Sequence, residues 1–303
     1  GVGAVLVAGD VFDTQTVGER LIRQLFKAMA AFEGPWVLIP GNHDAALGES
    51  VWTQAAGLND VVPGNVTLAL TPGTVLLEAC QTAVLTAPLT QRHTYNDTTA
   101  FFDQAATPDG WLRVGLAHGS VEGVLAEDID SANPIAADRC ARARLDYLAL
   151  GDWHGLKLIE PRCAYSGTPE PERFRDNAPG HCLIVDLAGP GAVPVIEPVR
   201  VGRYRWTAVD LTISVPSDID AIEARLAALT ADDIVQLRIR GRAELTGRRR
   251  LLDLIGRAEA VARSLRVDLA DLRLEPTADD IARLNADGYL AEVIEELREA
   301  QGS

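Results

Sequence analysis

No stretch of the 303 residues stays apolar for the roughly 18 positions that a membrane span requires. The richest, residues 75–89, is interrupted by Glu78 and Gln81, so no membrane partner is expected. A charged-then-apolar leader is also lacking: Gly1 runs straight into a strand-like pattern, and the expected location is cytoplasmic. Cysteine is scarce. Cys80, Cys140, Cys163 and Cys182 form no C-x-x-C pair, which favours reduced thiols over zinc ligands or disulfides. There is no internal repeat and no low-complexity tract. Basic charge is short too, with 28 Lys and Arg against 43 Asp and Glu and a net charge of -15. The deficit is concentrated in residues 1–199, which hold 12 basic and 24 acidic residues. A module gripping nucleic acid by phosphate neutralisation alone would be basic. A carboxylate-rich site for divalent cations looks acidic in sequence, because the ions are not counted.

What is present is a repeated grammar. Residues 2–8 form an apolar run too short for a helix and end in Gly9-Asp10, as a buried strand delivering a carboxylate would. A helix is predicted over 17–32 from the spacing of Leu21, Ile22, Leu25, Phe26 and Met29, stopped by Gly34-Pro35. Three further strands end in polar clusters: 36–39 in Gly41-Asn42-His43-Asp44, 112–117 in His118-Gly119, and 147–150 in Gly151-Asp152-Trp153-His154. In α/β architectures, ligands gather where strands end and loops begin, so clusters about 140 residues apart can converge. Further strands are predicted at 66–70, 74–79, 83–87, 182–187 and 193–199, with a helix at 134–144. From about residue 200 the pattern becomes a separate α+β domain, with strands at 204–213 and 234–239 and helices at 217–229 and 248–265. The segment 277–300 reads as a charged helix with one apolar stripe of Leu290, Val293, Ile294 and Leu297.

Only five histidines occur, and His43, His118 and His154 each follow directly on an apolar strand. His93 and His181 read as loop residues. Imidazole, carboxylate and amide together are the ligand mix of Mn, Fe or Zn sites. Two such ions about 4 Å apart can clamp the attacking and leaving oxygens of a phosphoryl group, so phosphoester hydrolysis is the reaction implied. The arginines 238, 240, 242, 248, 249 and 250 could follow a nucleic-acid backbone, or simply form a solvated strand face and helix start. Trp36, Trp52, Trp111 and Trp206 read as packing residues, and Trp153 as a candidate to line the site.

Gly9-Asp10-Val11-Phe12-Asp13, Gly41-Asn42-His43-Asp44, Ala117-His118-Gly119 and Gly151-Asp152-Trp153-His154, in this order, resemble the successive motifs of the calcineurin-like metallophosphoesterases. Residues 8–14, 146–151 and 166–170 are most similar to the SbcD-type DNA repair nuclease subunits. The resemblance implies an α/β (α+β) fold: a four-layer β-sandwich flanked by helices over 1–199, N-terminally truncated, then a smaller capping domain with a helical tail over 200–303. It implies two divalent ions, Mn before Fe or Zn, with Asp10 bridging, Asn42 and His118 on the second ion and His154 on the first. His43 would protonate the leaving oxygen, and Asp13 and Asp44 would orient ligands.

Two departures stand out. Asp152 replaces the first histidine of the usual G-H-x-H, a harder ligand that favours Mn. The family's D-x-H motif is missing ahead of Asp10, so an upstream extension of about 40 residues carrying it is expected, and little hydrolysis from these residues alone. DNA is the expected substrate and an SbcC-like coiled-coil ATPase the expected partner; the 277–300 stripe either docks that ATPase or packs on the cap of its own chain, and a second copy of the chain is the other candidate partner. The alternatives are a phosphodiesterase for a small molecule or cyclic nucleotide, and a catalytically impaired scaffold for the ATPase.

Overall fold

The computed structural model describes residues 1–124, 132–174, 177–277 and 293. The chain divides into two compact units, Gly1–Glu170 with Asp176–Gly202, and Pro171–Arg175 with Arg203–Ser303.

In the first unit, β1 (Val5–Ala8), α1 (Glu19–Met29), β2 (Trp36–Ile39), α2 (Val51–Gly57) and β3 (Val66–Leu68) build a parallel three-stranded sheet, β1-β2-β3, with two helices. Period-two alternation sorts the strand side chains. Val7, Trp36 and Leu38 join Ile22, Phe26, Met29 and Trp52 from the helices, while Leu6, Ala8, Val37 and Ile39 turn the other way. Within the predicted helix stripe Leu21 is the exception, 52% exposed, because Ile22, Phe26 and Met29 set the buried face.

A second sheet follows from β4 (Gly73–Leu77), β5 (Thr82–Ala87), β6 (Leu112–His118), the short pair β7 (Ser120–Val121) and β8 (Pro134–Ile135), α3 (Arg139–Arg142), β9 (Tyr147–Gly151), β10 (Lys157–Glu160) and β11 (Cys163–Tyr165). Its order is β10-β11-β9-β6-β5-β4. Val84, Leu116 and Ala149 meet Val37 and Ile39 of the first sheet. The opposite face, with Leu85, Leu148, Leu150 and Tyr165, is covered by Phe102, Cys140 and Leu145. Helix, sheet, sheet and helical cover make the expected four layers. The hairpin β12 (His181–Asp186) and β13 (Val195–Arg200) packs Leu183, Val185 and Ile196 against Val114, Tyr147 and Ala164.

In the second unit, β14 (Arg205–Ile213), α4 (Asp218–Ala227), β15 (Asp233–Ala243), α5 (Leu245–Glu259), β16 (Ser264–Asp268) and β17 (Leu272–Leu274) form a parallel sheet, β14-β15-β16, with β17 joining the far end of β15. The two helices pack on one face through Ile219, Ile222, Leu251, Leu254 and Ile255. The other face is polar: Arg238 reaches Asp268 at 3.2 Å, Arg240 the Thr212 hydroxyl at 3.2 Å and Arg242 Glu275 at 2.9 Å. Phe174, from the short inserted segment, packs on Trp206 with ring centroids 4.9 Å apart.

Three sequence expectations are corrected. The helix predicted over 134–144 is a short strand followed by one helical turn. Ile135 is drawn fully into the core, and the buried Arg139 guanidinium is held by Asp97 and Asp103. The helix predicted over 248–265 ends at Glu259, and the alternating Leu265 and Val267 belong to β16. His181 begins β12 instead of lying in a loop. The 277–300 stripe lies outside the described residues apart from Thr277 and Val293. Among the described residues no helix is long and apolar enough to cross a membrane. All four cysteines are free thiols.

Candidate active site

The C-terminal ends of β1 and β2 in one sheet and of β6 and β9 in the other bring the polar clusters together. Gly9 (φ +87°) and Asp10 (φ +54°) are both left-handed, which turns the chain sharply out of β1. A Cβ on Gly9 would sit 2.6 Å from Nδ1 of His118, and one on Gly41 would sit 2.6 Å from both the Asp10 nitrogen and Cε1 of His118. The His118 ring is thus wedged between two backbone turns that tolerate no side chain.

His118 is the centre of the arrangement. Its Nδ1 lies 2.7 Å from the Ala8 carbonyl oxygen, which can only accept, so Nδ1 carries a proton. That leaves Nε2 facing three oxygens: Asn42 Oδ1 at 3.2 Å, Asp10 Oδ2 at 3.3 Å and Asp152 Oδ1 at 3.7 Å. Burial opposes the charged imidazolium, yet the Asp10 hydrogen bond and the charges of Asp10 and Asp152 hold its pKa above the ordinary histidine value. Asp10 goes down: burial raises it, but the hydrogen bond and charge of His118 and the His43 N–H outweigh that. Asp152, in a left-handed conformation at φ +101°, goes up through burial and the nearby Asp10 charge, against the pull of His118, His154 and His43. Asp10, Asn42 and Asp152 therefore surround one nitrogen of His118, with His154 and His43 near enough to bias Asp152.

The expected orienting groups are both in contact with the site. Asp44 is fully buried, and its carboxylate accepts four backbone N–H groups: Gly41 at 2.6 Å, Val11 at 2.8 Å, Asp10 at 3.2 Å and Phe12 at 3.3 Å. It clips the turn after β1 to the turn after β2. Burial nonetheless pushes its pKa up, with Asp10 adding repulsion. Asp13 is exposed and meets the His43 ring, whose Nδ1 lies 3.2 Å from its carbonyl oxygen and 3.3 Å from its carboxylate. The His43 N–H donates to Asp10 Oδ1 at 2.9 Å. Trp153 packs beside the core with the Lys157 ammonium 5.1 Å from its ring centre.

Two supporting residues had no signal in the sequence. The buried Tyr165 hydroxyl donates to the Gly119 carbonyl at 2.8 Å and accepts from the Val121 N–H at 3.1 Å, fixing the chain that follows His118. Gln15 bridges three backbone groups around His43 and α2.

The model of the calcineurin-like phosphoesterases matches residues 1–156. The chain belongs to that family. Among curated proteins none matches it. Members of the calcineurin-like phosphoesterase family hydrolyse phosphoesters with divalent metal ions, and the donor set here suits such an ion. With Nδ1 protonated, the alternatives at Nε2 are a second proton or a lone pair directed at three oxygens, and a cation relieves that repulsion as a proton does. Among the described residues, no group of three or more His, Cys, Asp or Glu is arranged to hold a metal as it stands. The candidate ligand atoms of Asp10, Asn42 and Asp152 converge on His118 Nε2 instead. Hard oxygens with one or two imidazoles fit Mn, Fe or Zn by chemistry.

Proposed function

We propose that this phosphoesterase is a two-metal phosphodiesterase of the SbcD-like group that degrades DNA. The observation that carries the reading is the His118 Nε2 with its three oxygens, beside a His43 whose backbone and ring are both held. Asp10, Asn42, His118, Asp152 and His154 would hold the ions, with Asp10 shared and Mn preferred. Bound there, the ions supply Lewis-acid polarisation of the phosphoryl group. His43 does the proton work: its Nδ1–H is engaged by Asp13, and the opposite ring nitrogen offers a proton to the leaving oxygen. The second unit would guide the strand. Four free thiols fit a cytoplasmic enzyme. An SbcC-like ATPase remains the proposed partner.

The test separates metal holding from proton transfer. His43→Ala should retain Mn and lose about two to four orders of magnitude in turnover. Asn42→Ala and His118→Ala should lose metal first. Metal loss in His43→Ala with unchanged activity per bound ion would reverse the assignment. The acidity of residues 1–199 favours one rival, a phosphodiesterase for small substrates. Rates on single-stranded DNA, blunt duplex DNA and a generic aryl phosphodiester distinguish the two.

A further inference from the structure

We infer that Gln15 is a positioning residue for His43. Its side-chain amide nitrogen donates to the carbonyl oxygens of His43 at 3.3 Å and Ala45 at 3.0 Å, while its amide oxygen accepts the Val51 N–H at 3.2 Å. One amide so ties the turn after β1 to the turn after β2 and to the first residue of α2. Both amide protons and the oxygen are used, a pattern that neither a carboxylate nor an aliphatic side chain reproduces.

The segment 10–15 thereby grips His43 on both sides of its Cα. Asp10 takes the N–H before it, and Gln15 holds the carbonyl after it. With both peptide planes fixed, the direction in which the ring leaves the backbone is fixed as well. Asp13 cannot do this alone: its carbonyl meets only one ring nitrogen, at 3.2 Å, and its side chain is 93% exposed, where pairs contribute little in water. Gln15 makes its three hydrogen bonds to backbone atoms outside the ligand set, so its loss should misplace the proton donor without stripping the site of metal. A displacement near 1 Å at a catalytic group costs up to about 100-fold in rate.

The inference rests on the role given to His43, and the two fail differently. In the Mn-loaded full-length protein, hydrolysis of bis-p-nitrophenyl phosphate is compared for Gln15→Ala, Gln15→Glu, His43→Ala and the Gln15→Ala/His43→Ala double variant. Gln15→Ala should lower kcat about tenfold with KM and Mn affinity within about twofold. Gln15→Glu, equal in length but unable to donate, should do the same and covers the case in which the alanine variant does not fold. In the His43→Ala background the further loss should vanish, since a residue acting through His43 has nothing left to position. The imidazole NMR signal of His43 in the metal-free protein should shift in either single Gln15 variant while the other four hold. An equal loss in both backgrounds, or unchanged kcat in both single Gln15 variants, overturns the inference. Unchanged turnover in His43→Ala overturns the role of His43 instead.

Discussion

Asp44 shows how one side chain sets the relation between two motifs. Its carboxylate replaces the partners that four N–H groups at the strand ends would otherwise lack. Each buried donor left without an acceptor costs about 1–3 kcal/mol. Asp44→Ala should therefore destabilise the protein by about 3 kcal/mol or more, read from the urea midpoint, and a loss under about 1 kcal/mol would contradict that account. The residues that touch the candidate site were legible for a simple reason: Asp10, Asn42, His118 and Asp152 are polar residues placed directly after apolar runs. Gln15 and Tyr165 were not, because each acts on the backbone of segments distant in sequence, and backbone partners leave no residue pattern. Asp44, read only as an orienting group, proves to be a structural clip as well.

Elements were readable where burial alone decides them. Trp36–Ile39 is predicted with its observed bounds, and the strand that ends in His118 and the one that leads into Asp152 to within one residue. Prediction failed where a specific polar contact or a change of period intervened, as at Arg139 and at the passage from α5 to β16. Between β14 and β15 lies another such contact. Arg205 donates to Asp233 through two nitrogens at 2.8 and 2.9 Å, and Thr230 adds its N–H at 2.7 Å. The Arg205 hydrogen bond, with help from Thr230, pulls the Asp233 carboxyl down to about 2. A depressed carboxyl stabilises the fold above its unfolded pKa and loses that contribution as pH falls through the folded value. Asp233→Asn should thus cost on the order of 1–2 kcal/mol near about pH 7, and the gap to the parent should close between about pH 4 and pH 2. A constant gap across an acid denaturation series would refute this.

For the whole molecule, a net charge of -15 opposes any polyanionic substrate. At about 0.15 M salt the repulsion is screened beyond about 8 Å but not within the site itself. On the proposed reading, divalent ions would be needed to bind DNA as well as to cut it. EDTA should abolish the gel shift of a DNA fragment, and Ca, which supports binding more readily than chemistry, should restore the shift without cleavage. Retention of DNA in EDTA would mean that a basic surface supplies the grip.

The left-handed backbone at Asp10 and Asp152 has a consequence for the stability of the chain. Glycine would adopt φ +54° and φ +101° more readily than aspartate does, so at two of its candidate ligand positions the protein carries the less comfortable residue. At 10 that discomfort is offset by the His43 N–H and the His118 ring that the carboxylate holds, whereas at 152 the carboxylate lies 3.7 Å from His118 and offsets less. Asp152→Gly should therefore melt no lower than the parent while retaining metal less well, so the aspartate there is held at a backbone cost that only the chemistry of the site repays.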